Sequence, residues 1–230
     1  MRTGPKLALL LCFLVASRFA VAQTNAPDPA ASPDTATVTF TFDFPGAVPD
    51  HYSLVVASSG QATYSSGKKS DSDSGDDTPF RCQFTVSEPN RARIFNLAAH
   101  AGYFADKLDF SKHRIANTGT KTLAYYDAHR STQASYNYTE NEPTQQLTAL
   151  FQNISATLEY ARRLQYQYQY QKLALDEELK HMEASAKQNT LDELQAAAPI
   201  LKRIAADASV MNVTRARAQR LLAAGSTARR

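Results

Sequence analysis

From Glu142 onward the spacing of apolar residues is that of helices alone, and this limits the folds open to the chain. Before Glu142 most apolar segments alternate with polar residues. Residues 37–44 are the clearest case, with Val38 and Phe40 on one face and threonines on the other. After Glu142 apolar residues recur every three or four positions, as on one side of a helix. Strands followed by helices favour an α+β fold, with a mostly antiparallel β-sheet in the N-terminal half and a helical C-terminal half.

Residues 37–141 are predicted to form a β-rich domain with one inserted helix. Turn-forming residues such as Pro45, Gly46 and Gly60 separate its apolar segments. The predicted strands are residues 37–44, 52–57, 61–65, 80–86, 121–127 and 131–139. The inserted helix is expected at residues 87–102, where the apolar period changes to that of a helix.

Residues 142–225 are predicted to form a helical region that packs on the β domain or extends from it. Its first helix begins at Glu142 and reaches about Tyr168. Its second begins near Leu175, with Asp176 as the capping residue. The sequence leaves open whether sheet and helices share one hydrophobic core or form two.

The remaining helix boundaries are inferred from local signals. Thr190 and Glu193 have the spacing of a capping box and are expected to open a third helix, which Pro199 would break or kink. A last helix is predicted at residues 214–224, ending at Gly225. Residues 226–230 are expected to form a disordered tail.

The first 22 residues have the three parts of a secretory signal peptide. Arg2 and Lys6 precede an apolar run, and Ala20-Val21-Ala22 provides a cleavage site. The run from Leu7 to Ala16 is shorter than the roughly 20 residues that a membrane span needs. We therefore expect a mature chain without a transmembrane span, carrying a flexible Pro/Ala-rich tether at residues 23–36. A periplasmic or extracellular location is expected from this signal, and the general look of the chain is that of an exported bacterial protein.

Removal of the signal changes the charge of the chain. The signal holds Arg2, Lys6 and Arg18, so 22 of the 25 basic residues remain, matching the 22 acidic ones. A neutral protein gives no general reason to expect nucleic-acid binding. Cys82 is then the single cysteine, and its place in an alternating strand predicts a buried, unreactive thiol.

No sequence motif identifies a catalytic or metal site. The chain lacks G-x-S-x-G, a P-loop and a Rossmann glycine pattern. The acidic residues 71–77 resemble a calcium loop, but an EF-hand would need Gly and Glu where Asp76 and Cys82 stand. Asp127 and His129 are expected in a turn. We predict no catalytic residue, no metal and no cofactor, although a site assembled from distant residues stays open.

Two segments are candidate binding surfaces. Tyr166, Tyr168 and Tyr170 alternate with glutamines; on a helix Tyr166 and Tyr170 would share a face, with Tyr168 opposite. They could contact a partner, or pack against neighbouring elements. The C-terminal region is basic, and its candidate binding residues are Arg215, Arg217 and Arg220. These arginines could bind an anionic surface, or form a solvated helix face balanced by the acidic residues 71–77.

Three functions remain after this survey, the third being electrostatic attachment to an anionic surface through the C-terminal arginines. The first is an exported, non-enzymatic binding or structural module that contacts a protein or an envelope component. The alternative is an extracytoplasmic hydrolase whose site is assembled in space. The ligand and the oligomeric state are not encoded in any pattern that we recognise.

Overall fold

A computed structural model describes residues 35–67, 79–109 and 115–227. In these ranges six strands form one sheet in the order β4-β3-β2-β1-β5-β6, and all neighbouring strands are antiparallel. The strands are β1 Thr37–Asp43, β2 His51–Ala57, β3 Gln61–Gly67, β4 Phe80–Thr85, β5 Thr120–Tyr126 and β6 Ser131–Tyr136. The predicted α+β class is therefore confirmed.

Five α-helices accompany the sheet in the same ranges. They are α1 Glu88–His100, α2 Glu142–Tyr170, α3 Leu175–Lys187, α4 Ala198–Ala206 and α5 Asn212–Thr227. Three short 3-10 segments lie at Gly102–Phe104, Lys172–Ala174 and Leu194–Ala197. Among the described residues, no helix is both long enough and apolar enough to cross a membrane.

The alternation of side chains gives the sheet two different faces. On the inner face Phe40 of β1 pairs with Leu54 and Leu123 of its neighbours, and all three side chains are fully buried. The outer face carries mainly Ser, Thr and Gln side chains, which are at least partly exposed. The helices α1 and α2 pack on the inner face, where Phe151 stacks on Phe40 with ring centroids 5.4 Å apart.

The helix α2 contacts both hydrophobic clusters of the described chain. Its first part supplies Phe151 and Leu158 to the cluster under the sheet, and its last part supplies Ala161 and Leu164 to a cluster with α3, α4 and α5. The described residues therefore form two hydrophobic clusters joined by one helix, which answers whether sheet and helices share one core or form two.

A buried carboxylate marks the point where α2 leaves the sheet. Glu159 is 5% exposed and accepts hydrogen bonds from the Tyr64 hydroxyl at 2.9 Å and the Ser66 hydroxyl at 2.5 Å. Burial, together with this carboxylate, raises the pKa of Tyr64. These bonds fix the end of the sheet to α2, so that the rest of α2 projects beyond it with α3, α4 and α5.

Several predicted helix boundaries are wrong. Asp176 lies inside the first turn of α3 rather than capping it. Thr190 and Glu193 form no capping box: the Thr190 hydroxyl donates to the Ser185 carbonyl, and Glu193 has left-handed backbone angles. Pro199 lies in the first turn of α4, where its missing N–H costs no helical hydrogen bond.

The last helix also differs from its prediction, because α5 continues through Gly225 to Thr227. A Cβ atom at Gly225 would lie 3.2 Å from Leu194 Cβ, so this glycine permits a close approach instead of ending the helix. Residues 228–230, like the signal and residues 23–34 of the tether, lie outside the described ranges.

Cys82 is half-buried, whereas the sequence predicted full burial. Its strand β4 lies at the edge of the sheet, which leaves its inner-face side chains partly uncovered. Burial still raises the pKa of the Cys82 thiol. A smaller fraction of the side chain is then in the thiolate form, which is the reactive one.

Candidate functional site

The described histidines do not gather around one nucleophile. His51 Nδ1 lies 2.7 Å from Asp43 Oδ1 on the outer face of the sheet, and His181 contacts Glu177 on an exposed side of α3. As predicted, His129 lies in a turn, where its backbone N–H donates to Asp127. Within residues 35–67, 79–109 and 115–227, no three side chains of the His, Cys, Asp and Glu types are grouped to hold a metal ion. His113 and the acidic residues 71–77 lie outside these ranges.

The tyrosine run is helical, and its side chains point in two directions as predicted. Tyr166 and Tyr170 are 56% and 64% exposed, with ring centroids 5.1 Å apart. We call these two residues the tyrosine pair. Tyr168 lies on the other side, where its hydroxyl donates to Asp207 at 3.0 Å. The tyrosine pair stays a predicted contact surface, while Tyr168 joins α2 to the segment that precedes α5.

Asp207 is the centre of that connection. The Lys172 ammonium and the Ser209 hydroxyl donate to its two oxygens, each at 2.7 Å. These bonds, led by that from Lys172, hold the pKa of Asp207 well below its usual 3.8. Arg203 lies 4.8 Å from the centroid of the Tyr168 ring. This cluster holds the end of α2 to the helices that follow.

Two of the three C-terminal arginines pair with carboxylates of α3; the acidic residues 71–77 lie outside the described ranges. Arg217 contacts Asp176 at 3.0 Å and Glu183 at 2.7 Å, and Arg220 contacts Glu183 at 2.7 Å. Burial opposes ionisation of Glu183, but the hydrogen bonds from Arg220 and Arg217 outweigh it and lower the pKa of this carboxyl. Arg215 instead bonds to Asn212 within the first turn of α5. The three arginines therefore do not form one free basic surface.

A cleft lies between α3 and α5, which run side by side in the same direction. Asp176 and Glu183 of α3 contact Arg217 and Arg220 of α5 in that order along both helices. Further along, the helices and the loop between α3 and α4 enclose about 490 Å³. We call this space the α3–α5 cleft. Its lining residues are Glu183, Ala186, Lys187, Asn189, Leu191, Asp192, Leu194, Arg220, Leu221 and Ala224.

The loop that floors the α3–α5 cleft is held in place by hydrogen bonds to distant elements. Asn153 of α2 donates to Asp192 Oδ2 at 3.0 Å, and the Thr157 hydroxyl donates to the Asp192 carbonyl at 2.7 Å. Two residues of this loop, Asn189 and Glu193, have positive φ angles of 56° and 58°. Strained backbone of this kind persists only where surrounding contacts support it, and it is frequent at binding sites.

A second depression of about 400 Å³ lies beside Gly102 and Glu140. Its described walls are mainly polar and charged, and it borders residues 110–114, which lie outside the described ranges. The α3–α5 cleft is lined by equal numbers of apolar and of polar or charged residues, so it offers more apolar wall than the second depression. Apolar walls that carry placed polar groups are usual in ligand sites. It is therefore our candidate functional site.

Sequence reasoning identified one residue of this site, Arg220; its other candidate Arg217 contacts Glu183 but does not line the cleft. It missed Lys187 and Leu191, although the charged side chain beside an apolar helix stripe is visible in the sequence. The tyrosine pair does not line the α3–α5 cleft.

The comparisons with known proteins add no functional assignment. The chain matches no protein-family model, and no curated protein shows significant similarity to it.

Proposed function

We propose that this protein is an exported, non-enzymatic binding module that engages a protein or envelope component through the α3–α5 cleft. The observation that supports this proposal is the cleft itself, a space of about 490 Å³ between two helices. Clefts of roughly 300–1,000 Å³ with apolar walls and few polar groups are typical of binding sites. The export part of the proposal is supported by the pattern of residues 1–22.

The α3–α5 cleft is built to keep its shape. Leu191 and Leu221 are 8% and 2% exposed, so its apolar floor is continuous with the helical cluster. Arg217 and Arg220 hold α5 against α3 through Glu183, whose side chain is 12% exposed. A rigid site loses little conformational entropy when a ligand binds, which favours affinity.

Filling the α3–α5 cleft should weaken binding. Ala224 is exposed on α5 and lines the cleft, so Ala224→Trp places a large ring there without removing a buried side chain. We expect the immobilised protein to retain a component of a bacterial envelope extract, and the variant to bind it at least about tenfold more weakly, a cost near 1.4 kcal/mol. Ala223→Trp, at the adjacent exposed position, is the matched control and should retain it normally.

Two results would contradict the proposed function. One is equal retention by Ala224→Trp and the unaltered protein, which would place binding elsewhere. The other is failure of the unaltered protein to retain any envelope component. Export is checked on the same material, because protein recovered from the extracytoplasmic fraction should begin at Gln23.

The alternative, an extracytoplasmic hydrolase, is favoured by one contact. Asp43 bonds to His51 Nδ1, and a carboxylate at that nitrogen leaves Nε2 as the basic atom, as in hydrolytic triads. If the alternative holds, the protein should hydrolyse an ester or peptide probe, and His51→Gln should slow this by about 100-fold or more. His181→Gln, on the exposed side of α3, is the control. Absence of turnover, or turnover that His51→Gln leaves unchanged, would reject this function.

A further inference from the structure

We infer that the α3–α5 cleft binds an anionic amphiphile, a molecule with an apolar body and one carboxylate or phosphate head group. This inference rests on the proposed function, because it names the ligand class of the same cleft. The apolar body is assigned by the floor and walls, to which Ala186, Leu191, Leu194 and Leu221 contribute. The head group is assigned by the hydrogen-bonding groups that remain unused at the rim.

The basic rim of the cleft consists of Lys187 and Arg220. Lys187 follows Glu183 by four residues on α3, so both side chains lie on the same face. Arg220 Nε contacts Glu183 Oε1 at 2.7 Å, which brings its guanidinium to that face as well. The two cations therefore lie about one helical turn apart at the mouth of the cleft.

These two cations have donors to spare. Lys187 has no side-chain partner among the residues that the structure describes, and Arg220 uses only Nε within that same set. The side chain of Arg220 is 58% exposed. Glu183 already accepts a charge-assisted hydrogen bond at each carboxylate oxygen, from Arg217 at Oε2 and from Arg220 at Oε1.

The acceptors around the cleft are mostly engaged. Asp192 accepts from Asn153 at Oδ2 and from Thr157 at its carbonyl. At the end of α3, the Ser185 carbonyl accepts from the backbone and the hydroxyl of Thr190, and the Ala186 carbonyl accepts from the Asn189 N–H. Within the described ranges, Lys187 Nζ and the terminal nitrogens of Arg220 have no partner, whereas Asp192 Oδ1 is the one carboxylate oxygen of the lining without one.

A donor-rich rim beside an apolar floor fits an anionic head better than the alternatives. A carboxylate or phosphate would form charge-assisted hydrogen bonds with Lys187 and Arg220, which are stronger than bonds between neutral groups. A cationic amphiphile would place its head beside Lys187 and Arg220, while the two carboxylates of the lining, Glu183 and Asp192, already accept hydrogen bonds from the protein. A free anion without an apolar body would leave the floor unfilled.

Calorimetric titration of the purified protein tests the inference with four probes. Decanoate, decyl phosphate and decyltrimethylammonium are used below their critical micelle concentrations, and inorganic phosphate is the probe without an apolar body. We expect saturable binding of decanoate or decyl phosphate, at least about tenfold tighter than that of either other probe. Comparison of the first two identifies the preferred head group. Ala224→Trp should abolish their binding.

The rim is tested by substitution. Lys187→Gln and Arg220→Gln should each weaken binding of the anionic probe about tenfold, whereas Lys180→Gln on the exposed side of α3 should leave it unchanged. Circular dichroism confirms that each variant is folded, and Lys187→Gln breaks no ion pair in the described ranges. An unchanged affinity in both rim variants would overturn the inference.

The probes also separate this inference from the proposed function. Equal or tighter binding of decyltrimethylammonium, or no binding of any probe, would overturn the anionic amphiphile. Retention of an envelope component that Ala224→Trp removes would in that case still support the proposed function. If Ala224→Trp retained the envelope component as well as the unaltered protein does, that result would count against the proposed function, whatever the probes show.

Discussion

Phe151→Ala is expected to lower the free energy of unfolding by about 4 kcal/mol, the largest effect of any substitution considered for this chain. Phe151 is fully buried, and its ring stacks on Phe40 at an angle of 4° between the planes. Truncation removes the apolar surface of the ring and leaves a cavity between α2 and the central strand β1. Urea denaturation followed by circular dichroism measures the change.

The size of the loss should follow the volume removed. Phe151→Leu keeps part of the side-chain volume and should lower the free energy of unfolding clearly less than Phe151→Ala does. Gln146→Ala, at an exposed position of the same helix, should change the free energy of unfolding by less than about 0.5 kcal/mol. A loss below about 1.5 kcal/mol for Phe151→Ala would show that α2 does not pack on β1 in this way.

Glu193→Ala is expected to lower the free energy of unfolding by about 3 kcal/mol, because it leaves several partly buried donors without their acceptor. Glu193 is 5% exposed and accepts from the Ser87 N–H at 3.0 Å, the Ser87 hydroxyl at 2.7 Å and the Asn90 amide at 2.7 Å. Gln195 also donates to it. The carboxylate lies at the N-terminus of α1, where the helix dipole stabilises negative charge.

A double-mutant cycle with Asn90→Ala tests whether this contact carries the effect. Because each single variant breaks the same bond, the double variant should lose about 1 kcal/mol less than the two single losses combined. Glu177→Ala is the control, since that side chain is 59% exposed. Additive losses would mean that the bond from Asn90 does not carry the effect.

The strands and most helices could be predicted because their signals are local. The alternation of Val38 and Phe40 reflects one buried face, and the apolar stripe around Phe151 and Leu158 reflects one buried side of a long helix. In both cases neighbouring residues in the sequence share an environment, so the period alone identifies the element.

The wrong boundaries involve residues whose partners are distant in sequence. Glu193 resembles a local capping residue, but its carboxylate bonds to Ser87, 106 residues earlier. Gly225 resembles a helix end, but it accommodates Leu194 from another segment. A local pattern cannot distinguish these cases, since the deciding contact is formed only on folding.

The candidate site was mostly hidden for the same reason. Lys187, Leu191 and Ala224 come from two helices and a loop, and only the parallel packing of α3 and α5 brings them together. Arg220 was identified from the basic composition of the C-terminal segment. Composition indicates that a segment is charged, but not where that charge lies in the fold. The ion pairs with Glu183 that redirect this charge could not be inferred from spacing, because the partner lies 37 residues away.

The helix α2 has a consequence for the modularity of this chain. At 29 residues it is about 43 Å long, nearly twice the length of a seven-residue strand, and each of its halves completes a different hydrophobic cluster. A cut at Glu142 would strip the sheet of its cover, and a cut at Tyr170 would remove one wall of the helical cluster. Neither the part of the chain that holds the sheet nor the part that holds the later helices is therefore a transferable unit, and recombination could exchange the two parts only together.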